Sequence, residues 1–210
     1  MQSLNQHYTL SVATPNDTAE IVQLFALTFS HKLHAFHIDS TIPNQQYQLE
    51  AIWNEQARKP NQLQFVVTEA NTIVATFCLA IKQPRFETPQ FAKTPFSKHW
   101  KYGIKNYIKQ QIFFSLFNYE PAQQEVYLSH IAVSPTQQGK GIATLILQWI
   151  KKYSKNNLKK DYLSLYVDVQ HTGAIHLYKK SGFNIKKKES SLITQTVFNI
   201  KQWYYMRQKL

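Results

Sequence analysis

A strand pattern, a polar loop with two glycines and a helix pattern follow one another between residues 125 and 153, and this stretch constrains the fold most. Apolar side chains alternate through 125–133, which predicts a strand. Residues 142–153 place apolar side chains at the spacing of a helix with one buried face. Gly139 and Gly141 leave the loop nearly bare of side chains, so backbone N–H groups at the helix N terminus can point at an anion. The stretch therefore predicts an α/β protein with a diphosphate cradle at the start of this helix.

Strand and helix patterns also alternate along the rest of the chain. Before residue 125, apolar runs predict strands at 8–13, 63–67 and 72–81, of which the last two form a hairpin. A helix that begins at Pro15, after a Thr14 N-cap, and a second helix over 44–59 lie between these strands. After residue 153 the patterns predict a strand at 162–169, a helix at 172–180, extended structure at 183–185 and last strands at 192–200 and 203–210. This order predicts a mixed α/β sheet with helices packed on it.

Residues 83–124 are the least regular part of the chain, and we interpret them as an insertion within a single domain, 1–210. Four prolines punctuate this region, and an amphipathic helix pattern runs over 100–112 and continues into the aromatic residues of 113–117. The insertion is expected to pack over the sheet. A substrate wall, a dimer face and a membrane-surface contact stay open as alternatives, and so does a homodimer.

Composition narrows the class of protein. Hydrophobic residues make up 43% of the chain, enough for a core, and no apolar run approaches the length of about 18 residues that a transmembrane helix needs. The polar N terminus does not resemble a secretory signal, and Cys78 is the single cysteine, which excludes an intrachain disulfide and a cysteine metal cluster. These features favour a cytoplasmic protein without a transmembrane segment.

The positive net charge invites an anionic partner. Lys and Arg number 24 against 12 Asp and Glu, which gives a formal charge of +12. Most of the lysines fall at predicted helix ends and in turns, where they cap helix dipoles and keep the surface soluble. No recognised nucleic-acid motif accompanies them, so solvated lysine faces are the favoured interpretation.

Three histidines, His31, His34 and His37, recur at a spacing of three and would share one face of a helix. A metal site needs a fuller ligand set, and Asp39 is the one acid just beyond them. We therefore expect no metal, and favour a polar loop or helix face beside the substrate.

The glycine loop fits one of three phosphate-binding patterns. Lys140 stands between the glycines without a following Ser or Thr in register, so the P-loop pattern fails, and Thr144 replaces the third glycine of a Rossmann turn. Gln138-x-x-Gly141-x-Ala143, instead, resembles the Q/R-x-x-G-x-G/A signature of the GNAT acyltransferase superfamily. A second segment, Val167-x-x-x-His171-x-x-Ala174-x-x-Leu177-Tyr178-x-x-x-Gly182-Phe183, is similar to the family's next segment, although the family usually has Asn at the position of His171. The opening strand with Thr14-Pro15-x-Asp17 is also typical of the family.

The resemblance implies the GNAT acyl-CoA N-acyltransferase fold: a mixed, mostly antiparallel twisted sheet with flanking helices, with the helical insertion before the fourth strand. It implies acetyl-CoA as cosubstrate and a primary amine, of a small molecule or a protein, as acceptor. The residues implied in cofactor binding are Ile131, Ala132, Val133, Gln138, Gly139, Lys140, Gly141, Ile142, Ala143, His171, Ala174 and Tyr178. The alternative is a non-catalytic acyl-CoA-binding sensor or module of the same fold.

Direct acyl transfer in a ternary complex needs an acid for the leaving thiolate and a base for the amine. By resemblance, Tyr178 is the acid. The base is open between Glu125 and His130, since both types of side chain titrate in a suitable range. Strand alternation places Glu125, Tyr127 and Ser129 on one face before any bulge, and on this ground we prefer Glu125.

Overall fold

The computed structural model describes residues 2–35, 38–57, 59–82, 103–115, 119–190, 195 and 202–210. Within these residues the strands are β1 (Gln2–Ser3), β2 (Thr9–Val12), β3 (Gln62–Glu69), β4 (Thr72–Ile81), β5 (Glu125–Val133), β6 (Tyr162–Asp168), β7 (Asn184–Ser190) and β8 (Gln202–Lys209). The α-helices are α1 (Thr18–Thr28), α2 (Ser30–Ala35), α3 (Pro43–Ala57), α4 (Ile104–Ser115), α5 (Ile142–Asn156) and α6 (Thr172–Lys180). Short 3₁₀ turns, Pro15–Asp17 and Pro135–Gln137, precede α1 and α5.

The strands form one mixed sheet in the order β1-β2-β3-β4-β5-β6-β8-β7. The β5–β6 pair is parallel, and the other neighbouring pairs in the described part of the sheet are antiparallel. This confirms the predicted mixed, mostly antiparallel sheet with flanking helices. Because β1 was not foreseen, the helical insertion precedes the fifth strand of the structure instead of the fourth.

Helix α5 covers one face of the sheet as its periodicity predicts. Ile142, Ile146, Leu147 and Ile150 are each at most 1% exposed, and they pack in one core with Val126, Leu128 and Leu165 of the central strands. On the other face, α1 and α3 form a second core around Phe25 and Trp53. The sheet therefore separates two cores, and residues that alternate along one strand face different cores.

The parallel strands β5 and β6 separate partway along their length. Their pairing runs from Glu125 opposite Tyr162 to Leu128 opposite Leu165, and then it stops. Strand β5 continues to Val133 paired with β4 alone, and a bulge at Ser129 interrupts that ladder between the partners of Cys78 and Leu79. An extra residue in one strand increases its local twist. The separation leaves a gap between the ends of β5 and β6.

The C-terminal pairing corrects one detail of the sequence interpretation. The extended structure expected at 183–185 is a full strand, β7, and it pairs antiparallel with β8 from Asn184 opposite Arg207 to Ser190 opposite Gln202. Our predicted strand at 192–200 lies, apart from residue 195, outside the described residues, as do 83–102 and 116–118 of the predicted insertion. Helix α4 confirms the helical part of that insertion between 104 and 115.

Candidate active site

A cavity of about 220 Å³ occupies the gap between β5 and β6. Five parts of the fold line it: the end of α1 with α2, the middle of β5, the end of β6, the start of α6 and the first part of β8. The lining residues include Lys32, Tyr127, His130, Ile131, Asp168, His171, Ala174, Tyr178 and Trp203. The strand separation thus brings residues from distant parts of the sequence around one space.

The loop before α5 has the open backbone that the sequence predicts. Gly139 and Gly141 both have φ +81, a left-handed conformation that side chains rarely adopt, and a Cβ on either would meet nothing within 4 Å. Gly141 is the N-cap of α5, whose first backbone N–H groups have no partner within a helix. The Gln138 side chain donates to the carbonyl of Val133 at 3.1 Å, which ties the loop to the end of β5. The exposed loop is therefore a fit for an anionic group.

The last residues of β5 present a backbone edge to the gap. Ile131, Ala132 and Val133 pair with Phe77, Thr76 and Ala75 of β4, and no described strand pairs with them on the β6 side. A strand edge of this kind can hydrogen-bond an extended ligand. Ile131 also lines the cavity, which places the edge beside the other site residues.

Tyr178 and two neighbours on α6 reach the same cavity. Tyr178 is 8% exposed, and burial raises the pKa of its hydroxyl to about 12, so it stays protonated and can donate at neutral pH. His171 is the N-cap residue of α6, and Ala174 lies one turn further on. Burial lowers the pKa of His171, Lys32 adds to the lowering and Asp168 opposes it. The imidazole is therefore neutral at neutral pH.

Glu125 lies at the paired end of β5 and does not line the cavity. Its carboxylate is 3% exposed and accepts hydrogen bonds from the Ala122 N–H at 2.8 Å, the Tyr119 hydroxyl at 3.3 Å and the Tyr205 hydroxyl. Burial, followed by this bond to Glu125, raises the pKa of Tyr205. The structure therefore gives Glu125 a set of donors and does not bring it together with Tyr178.

His130, the other candidate base, does line the cavity. Its ring packs edge-on against Phe25, with centroids 5.5 Å apart, and against Trp53, 5.2 Å apart. These contacts place it on the side of the sheet covered by α1 and α3. Burial lowers the pKa of His130 to about 3, so the ring is neutral at physiological pH.

Sequence reasoning missed the aromatic and charged wall that α2 and β8 contribute. Lys32 of α2 holds its Nζ atom 5.0 Å from the ring centroid of Trp203 and 5.6 Å from that of Phe29. Lys32 and Trp203 are far apart in the sequence and share no motif, so only the fold joins them. The sequence pointed to Trp203 only as one of several aromatic residues, and composition does not tell an aromatic residue that lines the cavity from one that packs in a core.

The described residues contain neither a cluster of metal-ligating side chains nor a membrane-spanning helix. In that part of the chain no three His, Cys, Asp or Glu side chains converge as a metal site would require. His31 and His34 lie on α2, whereas His37 is outside the described residues. None of the described helices combines the length and the apolar character of a membrane-spanning helix.

Known proteins share this architecture. The model of the acetyltransferase (GNAT) family matches residues 21–183. A GNAT-family acetyltransferase from Streptococcus pneumoniae is 17% identical, with coverage of 97% of this chain and 99% of that one and a TM-score of 0.58. The Vibrio cholerae spermidine N-acetyltransferase, solved in complex with CoA and spermine, is 18% identical, with 98% and 96% coverage and a TM-score of 0.60. At these identities the likeness is one of fold, and no curated protein matches the chain.

Proposed function

Because this chain belongs to the GNAT acetyltransferase family, we propose that it transfers an acetyl group from acetyl-CoA to a primary amine. The observation that carries the proposal is the position of Tyr178: a buried, protonated hydroxyl group lies on the wall of the cavity between the separated strands. The CoA complex of the Vibrio cholerae relative supports the choice of donor. Bound acetyl-CoA would supply an activated thioester.

Two backbone features would hold acetyl-CoA: the glycine loop before α5 and the free edge of β5, which directly precedes that loop in the sequence. The loop and first turn of α5, from Gln138 to Ala143 through Gly139, Lys140, Gly141 and Ile142, offer N–H groups and a helix dipole to the diphosphate. The free edge of β5 at Ile131, Ala132 and Val133 would pair with the pantetheine arm. His171 and Ala174, at the start of α6, would flank that arm from the opposite wall.

Tyr178 would protonate the departing thiolate. A neutral phenol in a buried site is a suitable donor, since the raised pKa keeps its proton in place until negative charge develops on sulfur. We assign His130 to the acceptor side, because its neutral ring lines the cavity and can accept a hydrogen bond from the amine. With a pKa of about 3 it is too weak a base to keep the amine's proton, which would pass on to solvent. Glu125 is assigned a positioning role through Tyr119 and Tyr205, since its carboxylate bonds to both hydroxyls and does not reach the cavity.

The test combines cofactor binding with turnover. Acetyl-CoA should raise the melting temperature, and a panel of amines and peptides should include acceptors that release free CoA thiol. Tyr178→Phe should lower kcat by about 10²- to 10⁴-fold, the usual contribution of a general acid, with acetyl-CoA affinity little changed. Tyr153→Phe is the matched control, because Tyr153 is a half-buried tyrosine on α5 that packs on Trp149 and does not line the cavity.

Two results would contradict the proposal. Unchanged turnover in Tyr178→Phe would remove Tyr178 as the acid. Tight acetyl-CoA binding without thiol release for any acceptor would favour the alternative, a non-catalytic acyl-CoA-binding module.

A further inference from the structure

Lys32 brings a positive charge into the cavity, and no described carboxylate contacts it directly. Its ammonium lies over the rings of Trp203 and Phe29, and within the described part of the chain it forms no ion pair and donates no hydrogen bond. Asp168 acts on it only at longer range, and burial outweighs that attraction, so the pKa of Lys32 is lowered. Aromatic faces stabilise a cation only in part once it leaves water.

Lys32 lies across the gap from the β5 edge that we assign to the donor, and His171 is the donor-side residue whose charge it affects. Lys32 lies on α2 above Trp203 of β8, which flanks β6 on the side away from β5. The β5 edge that we assign to the donor faces the gap from the other side. The titratable and charged groups that share its part of the cavity are Asp168, His171 and His31. Lys32 therefore belongs to the wall opposite the free edge of β5.

The charges of the residues around Lys32 favour a ligand group with a single negative charge. Lys32 is the one Lys or Arg among the described lining residues, and burial keeps His130 and His171 neutral. A single cation balances a carboxylate, whereas a phosphate dianion is usually held by several cations or by a helix N terminus. A second ammonium group on the acceptor would meet Lys32 in a cavity of about 220 Å³ and be repelled.

We propose that Lys32 binds a carboxylate of the acceptor, and that the acceptor is therefore an amino acid or a similar small molecule that carries both an amine and a carboxylate. The inference rests on the proposed acetyl transfer. The carboxylate would receive a charge-assisted hydrogen bond from Nζ, and the amine would extend towards His130. Lys32 and Asp168 both line the cavity, so an acceptor whose amine and carboxylate charges cancel leaves the balance of charge there unchanged.

Acceptors matched except for the carboxylate test the proposal. Amino acids and their C-terminal amides are compared by CoA thiol release in the wild-type protein, Lys32→Met and Lys32→Arg. The wild-type protein should favour the acid over the amide by about 10- to 100-fold in kcat/KM, the range of one charged hydrogen bond. Lys32→Met should abolish this preference, and Lys32→Arg should retain much of it. Lys155→Met, a change of the same charge at an exposed position at the end of α5, should behave as the wild type.

A second measurement does not depend on turnover. In the presence of CoA, an N-acetylamino acid should raise the melting temperature more than its C-terminal amide does, and Lys32→Met should erase the difference. Equal stabilisation by acid and amide, or a preference that survives Lys32→Met, would overturn the proposal. Replacing acetyl-CoA by succinyl-CoA identifies the other source of a carboxylate: if Lys32 favours the succinyl donor and not the acidic acceptor, the anion belongs to the donor. Failure of the proposed function would differ, because no acceptor of any charge would then release thiol.

Discussion

Replacing Gly141 by alanine isolates the backbone geometry of the loop that we propose binds the diphosphate. Gly141 has φ +81, and a Cβ at this position would meet no atom within 4 Å, so the substitution introduces no steric clash with its surroundings. The cost is the left-handed conformation itself, about 1–2 kcal/mol for a residue with a Cβ. That free energy is lost in one of two ways. If the loop keeps its shape, the unfolding free energy falls, and if the loop relaxes, the affinity for acetyl-CoA falls.

The prediction concerns the sum of the two losses. Chemical denaturation measures the change in unfolding free energy, and calorimetric titration with acetyl-CoA measures the change in binding free energy. The loss of unfolding free energy and the loss of binding free energy should add up to about 1–2 kcal/mol. If the whole loss appears in binding, the affinity for acetyl-CoA falls about 5- to 30-fold. Gly139→Ala, at the same φ and with equally open surroundings, should behave alike.

Gly173→Ala is the matched control. Gly173 lies in α6, has no positive φ and would likewise place a Cβ in open space. Alanine there should leave the unfolding free energy unchanged or raise it by up to about 1 kcal/mol, because alanine favours the helix. Wild-type stability together with wild-type acetyl-CoA affinity in Gly141→Ala would refute the reasoning, and so would an equal loss in Gly173→Ala.

Three further predictions concern the core, the buried histidine and the buried carboxylate. Ile146→Ala should lower the unfolding free energy by about 2–5 kcal/mol, whereas the exposed Gln148→Ala should stay within about 0.5 kcal/mol in chemical denaturation. Because the pKa of His130 is about 3 when folded, the unfolded state takes up the proton first as pH falls below about 6.5. Denaturation between pH 7 and 5 should therefore show a loss of at most about 1.4 kcal/mol per pH unit from this group, and His130→Gln should lack it. Glu125→Gln should cost about 1–3 kcal/mol of unfolding free energy yet keep most of kcat, and loss of turnover at unchanged stability would instead make Glu125 the base.

The sequence predicted β5, the glycine loop and α5, where we propose the donor binds, because the residues that form them are contiguous. Glycine conformation, helix periodicity and strand alternation are all local, and they correctly predicted β5, the loop with Gly139 and Gly141, and α5. The second segment places Tyr178 and Ala174 on one helix, α6, which the structure confirms. Local sequence patterns are enough to predict a strand, a loop or a helix that a single stretch of the chain forms by itself.

The wall that we propose contacts the acceptor could not be predicted in the same way. Lys32, His130 and Trp203 come from a short helix, a central strand and the last strand, and only the sheet order brings them together. Strand β7 was underestimated because all its residues are exposed, so it lacks the alternation that marks a half-buried strand. Residues whose role depends on tertiary neighbours leave no periodic signal.

The bulge at Ser129 explains why strand alternation favoured Glu125 over His130. In a regular strand, Glu125, Tyr127 and Ser129 would face one side and His130 the other, with Val126 and Leu128. The extra residue shifts the alternation by one, so His130 joins the side of Phe25 and Trp53 while Leu128 stays in the core beneath α5. The same point of the chain is where β5 leaves β6. The extra residue, Ser129, therefore lies where the cavity opens between β5 and β6, and it turns the His130 side chain towards that cavity. Strict alternation of side chains along β5, applied to the sequence alone, would place His130 on the opposite face of the sheet, beneath α5.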